Sequence, residues 1–167
     1  MKMRRIAFAL ALTALGSVSF DTAEAQMTSS PTPTYDLSAQ SSAKFLADNK
    51  AKPGVVVRPS GLQYRIIHSG HGKQVKSGTD LVTVTYKGWL INGNVFDQTQ
   101  PGQTAQFPAG RLIPGWVEAL SLMKEGDEWE LVIPSNIAYG EKGAGGVIPP
   151  NATLVFDMTL ISVAPAQ

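Results

Sequence analysis

The sequence contains no cysteine and only two histidines, and these scarcities exclude several kinds of chemistry. Without cysteine there is no disulfide framework and no cysteine to carry a lipid. The histidines, His68 and His71, flank Gly70 in a predicted loop, and none of the further ligands that a metal site needs is nearby in the sequence. We therefore expect solvated loop histidines and no metal or other cofactor.

The sequence also lacks an excess of charge of one sign, a phosphate-binding loop motif and a nucleophile-elbow motif. With 14 basic and 13 acidic residues, it has no basic stripe that would indicate a nucleic-acid partner. The glycines around Lys142 are not followed by the Gly-Lys-Ser/Thr of a phosphate loop, so they predict a flexible rim loop. No Gly-x-Ser-x-Gly marks a nucleophile elbow. Asn151-Ala152-Thr153 matches a glycosylation acceptor formally, but it adjoins a predicted core strand and favours a packing role.

The longest apolar run, Ile6–Phe20, is too short to span a bilayer comfortably. It follows three basic residues and precedes the small-x-small pattern Ala23-Glu24-Ala25, which is typical of a secretory signal. We expect residues 1–25 to be a signal peptide cleaved after Ala25, which would make the mature chain periplasmic or secreted, without a membrane span. A membrane anchor or a buried helix is the alternative. Cleavage would leave 11 basic and 11 acidic residues.

Composition divides the rest of the chain into a leader, a short helix and one larger domain. Residues 26–36 are polar and contain two prolines, which predicts a flexible leader. Asp36 is a candidate cap for a helix starting at Leu37, and Pro53-Gly54 would end it, so residues 37–54 are expected to be a short helix and linker.

From residue 55 onward the sequence predicts an α+β domain of antiparallel strands and one short helix. Strands are expected at 62–68, 81–90, from Val95, at 128–133 and around 154–160, because apolar and polar residues alternate there. Asn92-Gly93 predicts a tight hairpin. Pro114 suits the first turn of a helix, followed by apolar residues at helical spacing as far as Met123, and Gly126 is the predicted stop.

An aromatic and aliphatic set remains as the candidate functional site. Such residues usually belong to a core, and that is the alternative interpretation. Asp97 favours a cavity instead, because a carboxylate directly after Phe96 and amid apolar residues is costly to bury unless it is hydrogen-bonded or at a wet edge. The apolar members of the set are Tyr86, Phe96, Phe107, Leu112, Ile113, Trp116, Tyr139, Val147, Ile148 and Phe156.

Four segments, in order, resemble the FKBP-type peptidyl-prolyl isomerases. They are V-T-V-T-Y-K-G-W-L from Val82, V-F-D from Val95, L-I-P-G-W from Leu112, and A-Y-G from Ala138 together with V-I-P-P-N-A-T-L-V-F-D from Val147. The segment from Phe45 to Tyr64 is similar to the macrophage infectivity potentiator branch of that family. Four motifs in order and at similar spacing are far more specific than any one of them.

The resemblance implies a five- or six-stranded antiparallel sheet wrapped around one short helix, with a pocket between them, in residues 55–167. Trp116 would be the pocket floor. The Ile113 N–H and the Tyr139 hydroxyl would donate hydrogen bonds to substrate carbonyls. Asp97 would be a polar group at the wall. The walls would be Tyr86, Phe96, Phe107, Leu112, Ile113 and Phe156, with Val147 and Ile148 on an overhanging flap.

The implied function is a peptidyl-prolyl cis/trans isomerase that acts on X–Pro bonds of exported proteins as they fold, without a cofactor. Its partners would be unfolded or partly folded proline-containing polypeptides, and macrolides of the rapamycin type would inhibit it. A non-catalytic, proline-peptide-binding chaperone module and a virulence-associated surface factor are the alternatives. We expect a monomer, because only about residues 37–50 are available for the longer helical region through which members of this branch often dimerise. The chain departs from the family pattern at Ala105, Arg111 and Ala144 and lacks an Arg after Asp97, which bears on macrolide affinity and substrate preference.

Overall fold

The computed structural model describes residues 34–166, which form two α-helices, seven strands and two single turns of 3₁₀-helix. The predicted signal peptide and residues 26–33 of the predicted leader lie outside the described residues. Within residues 34–166, no helix is both long enough and apolar enough to cross a membrane. The helices and strands are α1 (Ala39–Lys50), β1 (Val55–Val57), β2 (Gln63–His68), β3 (Leu81–Leu90), β4 (Val95–Gln98), β5 (Ala105–Pro108), α2 (Pro114–Leu122), β6 (Glu128–Ile133) and β7 (Leu154–Ala164).

The strands form one antiparallel sheet in the order β1-β2-β6-β7-β3-β4, and β5 pairs with β3. Because β7 pairs with β3 along its whole length, β4 and β5 share the other edge of β3. The antiparallel α+β fold is thus confirmed. The described strands number seven because the three-residue edge strand β1 and the short strands β4 and β5 each form separate pairings.

The predicted helix cap at Asp36 is wrong, and α1 begins two residues later than Leu37. Ser38 is the N-cap, and its hydroxyl accepts a hydrogen bond from the Ser41 N–H at 3.1 Å. Asp36 instead accepts from the Ser38 N–H at 2.9 Å and so stabilises the turn before the helix. A serine hydroxyl and an aspartate are about equally good caps, so the two candidates differ only in local geometry.

The predicted stop of the second helix at Gly126 is also wrong, because α2 ends at Leu122 with Met123 in an extended conformation. The Asp127 carboxylate explains the early end. It accepts hydrogen bonds from the backbone N–H groups of Lys124 at 2.7 Å and Gly70 at 2.6 Å. These bonds hold residues 124–127 in a turn, and Gly126, with a φ of 92°, lies within it.

The two faces of the sheet bury separate apolar clusters. On β6, Leu131 and Ile133 belong to the main core with α2, whereas Val132 between them faces the opposite side. There a smaller cluster packs against the apolar residues of α1. A buried amide pair joins α1 to β2, with the Asn49 Nδ2 donating to the Gln63 Oε1 at 2.9 Å. Helix α1, marginal alone at 12 residues, therefore lies on the outer face of the sheet.

A row of charges crosses this outer face and makes stability depend on pH. Arg65, Glu130, Asp157 and Lys87 are successive partners on β2, β6, β7 and β3, so two carboxylates lie side by side. Partial burial, and then the negative charge of Glu130, raises the pKa of Asp157. A raised carboxyl pKa favours the protonated form in the fold. The stabilisation from this group is therefore full below its ordinary pKa and lost as pH rises through the raised value.

We expect Asp157→Asn to raise the free energy of unfolding at neutral pH by less than about 1 kcal/mol, because it removes one of two like charges in cross-strand contact. The gain should vanish near pH 3, roughly where the wild-type carboxyl is protonated as well. Urea unfolding across this pH range measures both values. Glu141→Gln, in the loop after Tyr139, is the matched control. A variant less stable than wild type at neutral pH would contradict the prediction.

Candidate active site

An open cavity of about 360 Å³ lies where α2 and the loop before it meet the inner face of the sheet. It brings together nine of the eleven predicted site residues, from four strands, α2, the loop before α2 and the segment between β6 and β7. Val147 and Ile148 are absent from the lining, and Arg111 is present in addition. The lining residues are Tyr86, Phe96, Asp97, Phe107, Arg111, Leu112, Ile113, Trp116, Tyr139 and Phe156.

Trp116 is the centre of the aromatic lining and is only 5% exposed. Its ring meets three others nearly at right angles, with centroid distances of 5.0 Å to Tyr86, 5.2 Å to Phe156 and 6.1 Å to Phe107. Edge-to-face contacts of this kind are favourable beyond the area that they bury. The Trp116 ring, in the first turn of α2, is therefore fixed in position by the aromatic rings around it and forms part of the apolar surface of the cavity.

A glycine on β3 leaves the space that two of the aromatic walls occupy. Gly88 pairs with Asp97 on one side and Phe156 on the other. A Cβ at this position would lie 2.6 Å from the Phe156 Cε1 and 2.8 Å from the Phe96 Cζ. The two phenyl rings meet edge to face at 5.5 Å. The shape of this wall consequently depends on the absence of a side chain at position 88.

The one carboxylate in the cavity is hydrogen-bonded to a tyrosine. The Tyr86 hydroxyl donates to the Asp97 Oδ2 at 2.7 Å. Burial, and then this hydrogen bond, raises the pKa of Tyr86 far above its ordinary value, so the phenol remains a protonated donor. Asp97 is therefore an exposed residue at the wall of an apolar cavity, and its carboxylate has a hydrogen-bond donor.

The two predicted hydrogen-bond donors are free within residues 34–166. Ile113 caps α2, and its carbonyl accepts from the N–H groups of Trp116 and Val117, at 2.9 and 3.1 Å. Its own N–H and the Tyr139 hydroxyl make no hydrogen bond with any described residue. Tyr139 is 42% exposed at the rim. Both groups are thus available to a ligand in the cavity.

Val147 and Ile148, predicted to overhang the cavity together, lie in different surroundings. Ile148 is 6% exposed and belongs to the main core, where its backbone forms a two-way bridge with Ala144. Val147 is 60% exposed and lines a separate groove with Val95 and Phe96. Because Phe96 also lines the cavity, this groove adjoins it.

Within residues 34–166, no cluster of three or more histidine, aspartate or glutamate side chains is arranged to hold a metal ion. Residues 72–161 match the family model described as FKBP-type peptidyl-prolyl cis-trans isomerase. The chain belongs to this FKBP family. Residues 11–66 match a second model, the domain amino terminal to FKBP-type isomerases, which includes α1, β1 and part of β2.

Named relatives and solved structures agree with this FKBP assignment. The chain is 53% identical over 124 residues to "Outer membrane protein MIP" of Legionella longbeachae, which covers 73% of this chain and 52% of that protein. It is 51% identical over 126 residues to "Peptidyl-prolyl cis-trans isomerase Mip" of Coxiella burnetii, with 75% and 54% covered. The resemblance to the macrophage infectivity potentiator branch is thereby confirmed. The chain spans about half the length of these curated relatives.

Two crystal structures of bacterial FKBP-type proteins have the same fold. The peptidyl-prolyl isomerase of Pseudomonas syringae superposes with a TM-score of 0.71 at 38% identity and covers 76% of this chain and 93% of that one. FkpA of Escherichia coli gives 0.72 at 38% identity, with 77% and 60% covered.

Arg111 lines the FKBP cavity but is not among the predicted site residues. The sequence signal that could have identified it is its position directly before Leu112-Ile113, whose backbone was expected at the site. Charge counting does not reveal this position, because the balanced totals hide a single basic residue at a cavity.

Proposed function

We propose that this chain is a peptidyl-prolyl cis/trans isomerase that accelerates X–Pro rotation in polypeptides as they fold. The observation that supports this most is the preformed cavity, which is walled by aromatic rings and whose only carboxylate is already hydrogen-bonded. Such a site suits a reaction in which no bond is made or broken. The family membership and the isomerase names of the relatives support the same reaction.

The mechanism follows from the electronic structure of the amide. Rotation costs about 18–20 kcal/mol because it breaks resonance, and uncatalysed X–Pro rotation takes tens to hundreds of seconds. The planar amide is more dipolar than the twisted one, so transfer from water to an apolar cavity destabilises the ground state more than the transition state. Each ~1.4 kcal/mol of that difference gives about a tenfold rate increase.

Different residues bind the proline ring and the peptide backbone of the substrate. In the proposed pose, the proline ring rests on Trp116, with Phe156 and Phe107 at its sides. The Ile113 N–H and the Tyr139 hydroxyl donate to substrate carbonyls and fix the peptide on either side of the rotating bond. Asp97 holds the Tyr86 ring in place through the 2.7 Å hydrogen bond. Val147 would contact longer peptides from the adjoining groove.

The cellular setting and the domain boundaries form part of the same proposal. We place the signal peptide at residues 1–25, the leader at 26–36, the helix and linker at 37–54 and the isomerase domain at 55–167. Clients would then be exported proteins in the periplasm or outside the cell, and the mature protein would be monomeric. The N-terminal charge pattern and a relative named as an outer membrane protein support export. Mass spectrometry of the mature N-terminus tests the cleavage, and sedimentation tests the monomer.

The direct test of function is the rate of cis-to-trans isomerisation of a short X–Pro peptide, with and without rapamycin. We expect a clear acceleration over background that rapamycin abolishes, and faster refolding of a protein limited by proline isomerisation. A background rate together with rapamycin binding would support a non-catalytic binding module instead. A background rate without binding would overturn both functions.

We expect Asp97→Ala to lower kcat/KM by about tenfold, because it leaves the half-buried Tyr86 hydroxyl without its acceptor and frees that wall to move. Asp97→Asn keeps an acceptor oxygen at the same place and should restore most of the activity. The peptide assay measures both variants, and circular dichroism checks the fold. Equal losses in the alanine and asparagine variants would show that the negative charge, and not the hydrogen bond, is what matters.

A further inference from the structure

Arg111 is the only basic side chain that lines the cavity, and it has no carboxylate partner in the described chain. Residues 34–166 contain three arginines. Arg58 pairs with Glu118 at 3.1 Å and Arg65 with Glu130 at 3.3 Å. Arg111 forms no such pair, not even with Asp97 in the same cavity. A guanidinium group is therefore left exposed and unneutralised at the site.

The backbone that carries Arg111 is anchored in a fixed turn. The Arg111 N–H donates to the Pro108 carbonyl at 3.0 Å, and the Gly110 N–H donates to the Gly78 carbonyl at 2.7 Å. The two glycines lie so close that a Cβ on Gly110 would be 3.0 Å from the Gly78 Cα. The Cα of Arg111 is thus held at the rim, whereas its side chain is free to meet a ligand.

The one carboxylate that lines the cavity, that of Asp97, does not pair with the Arg111 guanidinium. Asp97 lies on β4 and accepts from the Tyr86 hydroxyl, and it forms no ion pair with any described residue. Arg111 instead lies two residues before Ile113, whose free N–H is the proposed donor to the substrate backbone. A peptide held by that N–H has the side chains next to its proline within reach of Arg111.

We propose that Arg111 is a specificity-determining residue that favours substrates with an acidic side chain immediately before or immediately after the isomerised proline. This inference rests on the isomerase function proposed above. A planar guanidinium binds a carboxylate through two parallel hydrogen bonds, which a lysine or a neutral residue cannot reproduce. Because Arg111 is exposed, the preference is modest, about threefold to fivefold in kcat/KM, and declines with salt.

The test compares peptides that differ only in charge at one position. Glutamate, glutamine or lysine is placed immediately before the proline in one series and immediately after it in a second. At low salt, wild type should prefer glutamate over glutamine by about threefold to fivefold in at least one series. Arg111→Gln should bring that ratio close to one. Arg111→Glu should reverse the charge preference, so that the lysine peptide is isomerised faster than the glutamine peptide and the glutamate peptide more slowly. Lys87→Gln, on the outer face and outside the cavity, is the matched control and should keep the wild-type ratio.

The outcomes separate this inference from the proposed function. If wild type accelerates all peptides with the same glutamate-to-glutamine ratio as Arg111→Gln in both series, the specificity role is overturned and the isomerase function stands. If the ratio falls equally in Lys87→Gln, the preference comes from the net charge of the protein and the role of Arg111 is overturned too. If wild type accelerates no peptide, the isomerase proposal itself fails.

Discussion

Gly88→Ala is expected to lower kcat/KM for X–Pro peptides by about 10- to 100-fold, because reacting groups displaced by about 1 Å lose that much rate. The added methyl would lie 2.6 Å from the Phe156 ring and 2.8 Å from the Phe96 ring, so both walls of the cavity must move. The free energy of unfolding should fall by only about 1–3 kcal/mol, as in other overpacked sites. The peptide assay and urea unfolding measure the two effects separately.

Gly78→Ala is the matched control for this substitution. Its added methyl would lie 3.4 Å from the Gly110 Cα, an ordinary contact, and its backbone is outside the left-handed region that favours glycine. It should keep both stability and activity close to wild type. Unchanged activity in Gly88→Ala would mean that the cavity walls tolerate displacement, and would contradict the preorganised site.

Alanine substitution at either buried tryptophan should lower stability to a similar extent, whereas the effects of the two substitutions on activity should differ. Trp116 and Trp129 are 5% and 4% exposed, and the indole nitrogen of each lacks a partner within the described residues. We expect either alanine substitution to lower the free energy of unfolding by about 3–5 kcal/mol, the usual cost of truncating a large core residue. Only Trp116 lines the cavity; Trp129 stacks on Tyr64 at 4.3 Å.

Activity per folded molecule should therefore fall more than about tenfold in Trp116→Ala and stay within about twofold of wild type in Trp129→Ala. The folded fraction comes from urea unfolding under the conditions of the assay. Trp116→Leu keeps an apolar residue and serves if the alanine variant does not fold. Equal losses of activity at the two positions would place Trp116 in the core alone.

Alternation along the strands predicted the longer strands, because its period of two decides which residues are buried on β3, β6 and β7, but it did not predict the three-residue β1 or the four-residue β5. The ends of the helices were not predictable in the same way. They depend on which of several side chains captures a backbone N–H, as Ser38 does at α1 and Asp127 does after α2. Both of these bonds span only three residues, so local backbone geometry decides those competitions, and a pattern of residue types does not contain it.

The site residues were predictable where they belong to family motifs. They were less predictable where their burial depends on the path of the rim loop. Val147 and Ile148 are adjacent in sequence, yet one is exposed and the other is buried. Gly143, with a φ of 64° and no room for a side chain beside the Ile148 carbonyl, sets that path. Arg111 was noted as a departure from the family pattern but not predicted to line the site, because an isolated basic residue is ordinarily a solvated one.

The separate clusters on the two faces of the sheet have a consequence for how the strands find their register. A slip of one residue between β6 and β7 would turn one of the two strands over, so that either Leu131 and Val132 or Val155 and Phe156 exchange faces of the sheet. In a sheet with one wet face, such a slip disrupts a single core. Here it disrupts two, and a slip in which β7 turns over also removes Phe156 from the cavity. Helix α1, although distant from the chemistry, thus helps to exclude misaligned sheets that would have no site.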